Sequence, residues 1–179
     1  MAYYGAGVEY ALHVLLNLSG APEGTAPSAK ELAQFQRLPA PFVRKLLTQL
    51  QKAGLITSRE VVRGGWQLAR PANEITLLEA AEAVQPGSPL FDCREIRQRC
   101  VLWADGEAPL VATAGLCEIH AAMRAAEVAM RRELAARTIA DIARQVEAKR
   151  PRGSVAGGPA WFEAQYAART GTQQEERNA

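Results

Sequence analysis

The chain has 179 residues, of which 48% are hydrophobic and 22% are charged, and its net charge is +2. These values are typical of a globular protein, and they exclude collagen-like, mucin-like and wholly disordered chains. A chain of this length buries roughly 70% of its unfolded surface, which allows one sizeable core or a small domain with an extended element.

No stretch approaches the ~18 apolar residues that a membrane span needs, and the first residues lack the basic-then-apolar order of a signal peptide. The three cysteines are an odd number, which argues against a framework of paired disulfides. We therefore expect a cytoplasmic protein without a membrane anchor.

Three helices are expected in the N-terminal part of the chain. Apolar residues at helical spacing predict the first of them over residues 6–18. A capping box formed by Ser28 and Glu31 opens a short second helix. The third begins near Pro39, a residue that suits the first turn of a helix, and ends at Gly54, which suits a C-cap.

A β-hairpin and a fourth helix follow. Short strand-like runs at residues 55–57 and 66–68 flank a turn at residues 63–65, whose two glycines suit a tight reversal. Thr76 begins a second capping box, and the helix that it opens ends before Pro86.

The second half of the chain changes character at Leu116. Residues 87–115 show no clear period, and we expect a loop there with a short helix near residues 95–100. From Leu116 the apolar residues recur every three or four positions, which predicts a long helix that kinks or restarts at Thr138 and ends before Pro151. Because little core remains for this apolar stripe to cover, we expect a second copy of the chain to cover it in a two-fold dimer.

Positive charge is concentrated between Arg37 and Arg63. Six basic residues and one acid give this window a net charge of +5, so the remainder of the chain sums to −3. A capped helix, a turn, a basic second helix and a glycine-tipped hairpin occur in the order of a winged helix-turn-helix, whose second helix enters the major groove of double-stranded DNA. The alternative is that the charges only solvate an exposed helix face. The candidate DNA contacts are Ser28, Arg37, Arg44, Lys45, Gln49, Lys52, Arg59 and Arg63.

The sequence resembles the Rrf family (IscR/NsrR-like) of bacterial transcription regulators. The resemblance rests on VEYALHVLLNLS, PSAKELAQFQRLPAPFVRKLLTQLQKAGLITS, GGWQLARPANEITLLEAAEAV and TIADI, and it spans about residues 5–148. It implies a mainly α fold with a small β-wing, in which a winged helix-turn-helix domain binds DNA and a long helix from Leu116 pairs the subunits of a homodimer.

Many members of this family hold an iron-sulphur cluster through three cysteines, and the matching positions are Cys93, Cys100 and Cys117. Three cysteines leave a ligand position for another group. Glu9 and His13 lie four residues apart on one face of the first helix, and the resemblance places this helix near the partner subunit's cluster loop. Mixed oxygen, nitrogen and sulphur ligation favours a 2Fe-2S over a 4Fe-4S cluster, bound as a bridge between subunits.

His120 is a reserve ligand, because it follows Cys117 by three residues on the same helix face. The plainer interpretations stay open: His13 as a core histidine, Glu9 and His120 as surface residues, and Cys117 as a small buried hydrophobe.

Four segments are predicted from these patterns. They are a winged helix-turn-helix domain at 1–85, a cysteine-bearing sensor loop at 86–115, a dimerisation helix at 116–150 and a flexible C-terminal tail at 151–179. The aromatic residues Trp161, Phe162 and Tyr166 leave a second interpretation of the tail open, in which it docks on the body of the protein or on the partner subunit.

We expect a repressor whose operator affinity is switched by the cluster in response to redox or iron-sulphur status. The alternative sensors are zinc on the three cysteines and His120, or a cysteine thiol switch without a cluster. A protein-interaction module is less consistent with the +5 window. An enzyme is not expected, because the chain has no glycine-rich phosphate loop and no nucleophile motif.

Overall fold

The computed structural model describes residues 2–59, 64–87, 89–103, 106–149 and 157–178, with side chains up to Arg169. The described part is mostly helical with a two-stranded antiparallel sheet, so the predicted mainly α fold with a small β-wing is confirmed. No helix in that part is long and apolar enough to cross a membrane. In chain order the elements are α1 (Ala6–Ser19), α2 (Ala29–Gln36), α3 (Ala40–Lys52), β1 (Ile56–Arg59), β2 (Gly65–Leu68), α4 (Leu77–Val84), α5 (Leu110–Thr113), α6 (Glu118–Ala135), α7 (Ile139–Ala148) and α8 (Gly158–Asn178), with 3-10 turns at Ala72–Glu74, Ile96–Arg99 and Val101–Trp103.

The chain divides into two compact units. The first holds residues 1–86 together with residues 134–179, and the second holds residues 87–133. This division differs from the predicted segments, because α7, which the prediction placed in the dimerisation helix at 116–150, belongs to the first unit. The expected restart at Thr138 is present, as the N-cap of α7.

α4 and α7 begin side by side, and this brings α7 into the first unit. Thr76 and Thr138 are the N-caps of these helices, and each takes part in a complete capping box. The two threonines also pair as an isolated antiparallel bridge, beside a hydrogen bond from the Leu77 N–H to the Arg137 carbonyl at 2.9 Å. Ile139, the first residue of α7, is consequently buried in the core.

α1, α2 and α3 form the centre of the first unit. Leu15, Leu32, Leu47 and Leu50 are fully buried there, and each such side chain stabilises the fold by about 1.5–3 kcal/mol. Arg37 is the C-cap of α2, and its φ of 54° lies in the left-handed region and turns the chain towards α3. The helix-turn-helix predicted from the capping box is therefore present.

The wing is the hairpin of β1 and β2. Ile56 pairs with Leu68 and Arg59 pairs with Gly65 in an antiparallel register. Residues 60–63, which include Arg63 of the predicted turn, lie outside the described residues.

β2 crosses the segment before α2 at very short range. A Cβ on Gly65 would lie 2.1 Å from the carbonyl oxygen of Ala26, so only glycine fits at this position. Next to the crossing, the Trp66 N–H donates to the Pro27 carbonyl at 2.9 Å. The backbone contacts at Ala26 and Pro27 thus fix the start of β2 against the helix-turn-helix.

The C-terminal segment differs from the predicted flexible tail. Residues 158–178 form α8, and its Phe162 is only 2% exposed in the core of the first unit. The structure therefore agrees with the second interpretation of the aromatic residues, in which the tail docks on the body of the protein.

We expect Gly65→Ala to lower the free energy of unfolding by about 1–3 kcal/mol, the usual effect of overpacking, because the added methyl group overlaps the Ala26 carbonyl. Urea unfolding followed by circular dichroism at fixed protein concentration measures the change. Gly106→Ala is the matched control, since a Cβ there meets nothing within 4 Å. Equal stability of the two variants would contradict the close crossing.

Candidate DNA interface and cysteine region

The outer face of α3 is basic. The helix buries Val43, Leu46, Leu47 and Leu50 against the rest of the first unit. Arg44, Lys45 and Lys52 are exposed on the remaining surface, and the helix contains no acidic residue. Because the apolar residues bury one side of α3, its charged side is the one left for a nucleic acid to contact.

Gln49, one of the predicted DNA contacts, is turned towards the protein instead. It is half-buried, and its Nε2 donates to the Val84 carbonyl at the end of α4 at 3.3 Å. Thr48 and Gln51 are exposed on α3 instead, and neither was singled out from the sequence. The sequence did contain a signal for Thr48: it follows Arg44 by one helical turn, so the two residues lie on the same face of α3.

The remaining predicted contacts lie around the two ends of α2 and in the wing. Ser28 is the N-cap of α2, and its Oγ accepts from the Glu31 N–H at 3.2 Å. Arg37 is exposed between α2 and α3, and Arg59 is half-buried at the end of β1. Arg63 lies outside the described residues.

All three cysteines lie in the second unit. Cys93, Cys100 and Cys117 are half-buried, and none forms a disulfide. Cys100 directly follows the 3-10 turn Ile96–Arg99, and Cys117 directly precedes α6. All three cysteines lie in loop segments, so the distances between the cysteines depend on the contacts that connect these segments.

Arg97 ties the cysteine-bearing segments together. Its Nε donates to Oε1 of Glu95 at 2.6 Å. One terminal nitrogen donates to the carbonyl oxygens of Thr113 and Gly115, at 3.2 and 3.0 Å. These bonds connect the segment between the first two cysteines with the segment that precedes the third.

Two cysteines and a histidine lie within electrostatic range of this ion pair. The hydrogen bond to Glu95 raises the pKa of Arg97, and the charges of Cys117 and Cys93 raise that pKa further. The pKa of Glu95 is lowered, chiefly by its hydrogen bond with Arg97 and in part by His120. Cys93, Cys117 and His120 therefore interact electrostatically with this guanidinium-carboxylate pair.

Glu9 and His13 lie in the first unit. Both are exposed, one turn apart on α1, as predicted from their spacing. They line a hollow of about 580 Å³, which is otherwise mostly apolar. Its apolar lining includes Val8, Leu12, Leu16, Leu77, Ile139 and Ile142.

A single chain does not assemble the predicted metal site within the part that the structure describes. No three His, Cys, Asp or Glu side chains among those residues are grouped closely enough to hold a metal ion. Glu9 and His13 belong to the first unit, whereas the cysteines belong to the second. One chain thus supplies the donor types, but no three of them form a group within the part of the chain that the structure describes.

The sequence matches a known family of regulators. The sequence model of the Rrf2 family, described as an iron-dependent transcriptional regulator, matches residues 4–145. Rv1287 of Mycobacterium tuberculosis strain H37Rv, described as a transcriptional regulator of the HTH type, is 32% identical over 139 residues, which are 77% of this chain and 79% of that protein. Protein rrf2 of Nitratidesulfovibrio vulgaris is 29% identical over 135 residues, 75% of this chain and 83% of that protein.

Solved structures share the fold. IscR of T. potens superposes with a TM-score of 0.62 at 21% identity, covering 83% of this chain and 92% of that one. CymR of B. subtilis, titled the global cysteine regulator, has a TM-score of 0.61 at 19% identity, and the match covers 81% of this chain and 98% of CymR. The oxidised form of CymR from Staphylococcus aureus has a TM-score of 0.54 at 22% identity, and the match covers 80% of this chain and 96% of that one.

We expect Arg44→Ala to weaken DNA binding by roughly tenfold or more, because the variant loses a guanidinium from the exposed face of α3. The slope of log K against log salt concentration should fall by about 1 if the lost contact is to a phosphate. Fluorescence anisotropy measures both, on a duplex selected from a random-sequence library with the unaltered protein. Lys149→Ala, an exposed residue after α7, is the charge-matched control. Equal losses in the two variants would contradict the assignment of α3.

Proposed function

This chain belongs to the Rrf2 family of transcriptional regulators, and we propose that it is a homodimeric repressor whose operator affinity is switched at its cysteine region. The predicted family resemblance is confirmed, and so is the assignment to regulators rather than enzymes. The observation that carries the proposal is the exposed basic face of α3 within the helix-turn-helix. The wing of β1 and β2 supplies the second DNA contact.

The mode of DNA binding follows from this geometry. α3 enters the major groove with Arg44 and Lys45 towards base edges or phosphates, and the wing reaches the backbone or the minor groove. A two-fold dimer presents two such helices. Its operator is therefore a palindrome of two half-sites whose centres are about one helical turn, roughly 34 Å, apart.

The second copy of the chain is proposed to cover α6. None of the 18 residues of this helix is buried, although an apolar stripe runs along it. Ile119, the first residue of the stripe, is 66% exposed. An apolar stripe of this length that its own chain covers only in part is typical of a helix that pairs with a partner, and a two-fold dimer covers both copies by the same contact.

We expect Ile119→Asp to convert the protein from dimer to monomer, because the carboxylate would be desolvated in the pairing surface. Sedimentation equilibrium measures the mass. Val128→Asp is the matched control: Val128 is equally apolar and 65% exposed, and it lies about two and a half helical turns further on, on the opposite side of α6. A dimer that tolerates Ile119→Asp as well as it tolerates Val128→Asp would contradict pairing through the stripe.

An iron-sulphur cluster is the sensor that we favour. Thiolates, an imidazole and a carboxylate are donors that iron in such clusters accepts. The family also includes IscR, which binds iron-sulphur clusters. Because no three of these donors form a group within the described residues of one chain, the proposed site takes Glu9 and His13 from one subunit and cysteines from the other. The cluster, 2Fe-2S in this proposal, would supply a change of charge or of ligation with redox or iron-sulphur status.

The residues of the chain provide the route from this site to the DNA. Cys117 directly precedes α6, and its carbonyl accepts from the Ala121 N–H at 2.8 Å in the first turn of the helix. Arg97 holds the segment before Cys117 against the loop of the other cysteines. A displaced cysteine loop therefore acts on the pairing helix and changes the angle between the two α3 helices. A coupling of about 1–3 kcal/mol changes operator affinity by roughly 5–150-fold.

We expect protein purified without oxygen to be brown, with iron and acid-labile sulphide in equal amounts. His13→Ala and alanine variants of the ligating cysteines should lose the colour, and His120→Ala, the matched control for the first, should keep it. Absorption spectra with iron and sulphide counts make the comparison. A colourless protein that carries zinc or no metal would overturn the cluster. Equal operator affinity of the cluster-bound and cluster-free forms at fixed salt would overturn the switch.

A thiol switch is the second candidate, and one observation favours it. Arg97 follows Cys93 by four residues and donates to the Gly115 carbonyl, two residues before Cys117, and neighbouring positive charge promotes thiol oxidation. In this case the protein is colourless, and the oxidant diamide changes its operator affinity while joining these two thiols. The DNA-binding part of the proposal is the same for both sensors.

A further inference from the structure

α8 lies beyond residues 4–145, which the family model matches, and it is anchored on α2 at its N-terminal end. Phe35 near the end of α2 packs against Trp161 and Phe162, with ring centroids 5.2 and 4.8 Å apart. Gly158 approaches the same ring, since a Cβ there would lie 3.1 Å from it. Phe162 is 2% exposed, so α8 is part of the folded core of the first unit.

Arg169 makes the contacts at the other end of this docked segment. One terminal nitrogen donates to the Ala26 carbonyl at 2.9 Å, and the other donates to the Gly64 carbonyl at 3.2 Å. The Nε lies 3.4 Å from Oε1 of Glu31. One guanidinium therefore joins the segment before α2, the start of the wing's second strand and α2 itself.

Glu31 explains why a cation is required here. Its side chain is only 9% exposed, and Oε2 accepts from the Ser28 N–H at 2.7 Å in the capping box of α2. A carboxylate this deeply buried is stable only with an opposite charge beside it. Arg169 provides that charge, and its planar fork has further donors for the two carbonyl groups.

The wing depends on such outside contacts. A two-stranded hairpin is marginally stable by itself. β2 is held at the crossing of Gly65 over Ala26, by the bond from Trp66 to Pro27, and by Arg169 at Gly64. Arg169 alone among these three attachments comes from the C-terminal helix, so it couples the position of the wing to the docking of α8.

We propose that Arg169 is a positioning residue for DNA binding, and that α8 acts as a strap that holds the wing at the angle the DNA requires. This inference rests on the proposed role of the wing in contacting DNA. Arg169 touches no DNA itself in this arrangement. It acts through the Gly64 carbonyl and the segment at Ala26.

Two measurements on the full-length protein test the proposal. In Arg169→Gln, we expect hydrogen exchange in residues 56–68 and in α2 to become roughly tenfold faster, and the Tm to fall because the buried Glu31 loses its opposite charge. Affinity for the selected duplex should fall about fivefold to tenfold, within the range of the net contribution of one ordinary hydrogen bond. Glu163→Gln, at an exposed position on the same helix, is the control and should change neither quantity.

Two further variants separate the wing from other effects. Arg169→Lys restores a charge opposite Glu31 but cannot donate in a fixed fork, so it should recover the protection of α2 and leave the wing loosened. In protein that already carries Arg59→Ala and Arg63→Ala, the added Arg169→Gln should have little further effect on affinity, because both changes act through the wing.

Unchanged exchange in the wing of Arg169→Gln would overturn the strap. Faster exchange with unchanged affinity would overturn the role of Arg169 in DNA binding. The variant that carries Arg59→Ala and Arg63→Ala then shows whether the strap or the role of the wing is wrong. If Arg59→Ala with Arg63→Ala weakens binding, the wing contacts DNA and only the strap is wrong. If it does not, the proposed role of the wing fails as well.

Discussion

The amphipathic character of α3 is the constraint from which the DNA-binding surface follows. Leu47 and Leu50 are completely buried between α1, α2 and α3, and a helix that buries one side must present the other. Arg44 and Lys45 occupy that other side. The burial of the leucines therefore fixes the orientation of α3, and with it the side on which the cations lie. No contact to the charged groups themselves is needed for this.

Backbone and capping contacts then determine what surrounds this helix. The paired N-caps Thr76 and Thr138 bring α7 against α4, so a segment that follows the second unit in sequence belongs to the first unit in space. The close crossing of Gly65 over Ala26 likewise fixes the wing against the segment before α2. These contacts join residues far apart in the chain, and each depends on one or two side chains of the right size.

The cysteine region is organised differently from the DNA-binding unit. Few of its apolar residues are covered within one chain: Val101 and Val111 are 81% and 91% exposed. Its described order comes instead from polar contacts, above all those of Arg97 with Glu95 and two carbonyl groups. A unit held by a few hydrogen bonds rearranges at a lower cost in free energy than a packed core, which suits a region whose proposed role is to change shape.

The sequence by itself determined the local elements, because their signals are local. Capping boxes mark the starts of α2, α4 and α7, and the 3.6-residue spacing of leucines marks α1 and α3, so the helix-turn-helix, the hairpin strands and the basic face at Arg44 could be predicted. The family resemblance added the regulator assignment. Tertiary structure alone decided the inward turn of Gln49, the membership of α7 in the first unit and the docking of α8. Arg169 and Ala26 are separated by 143 positions, and no periodicity or capping pattern reports a contact of that range, because it depends on how the whole unit packs.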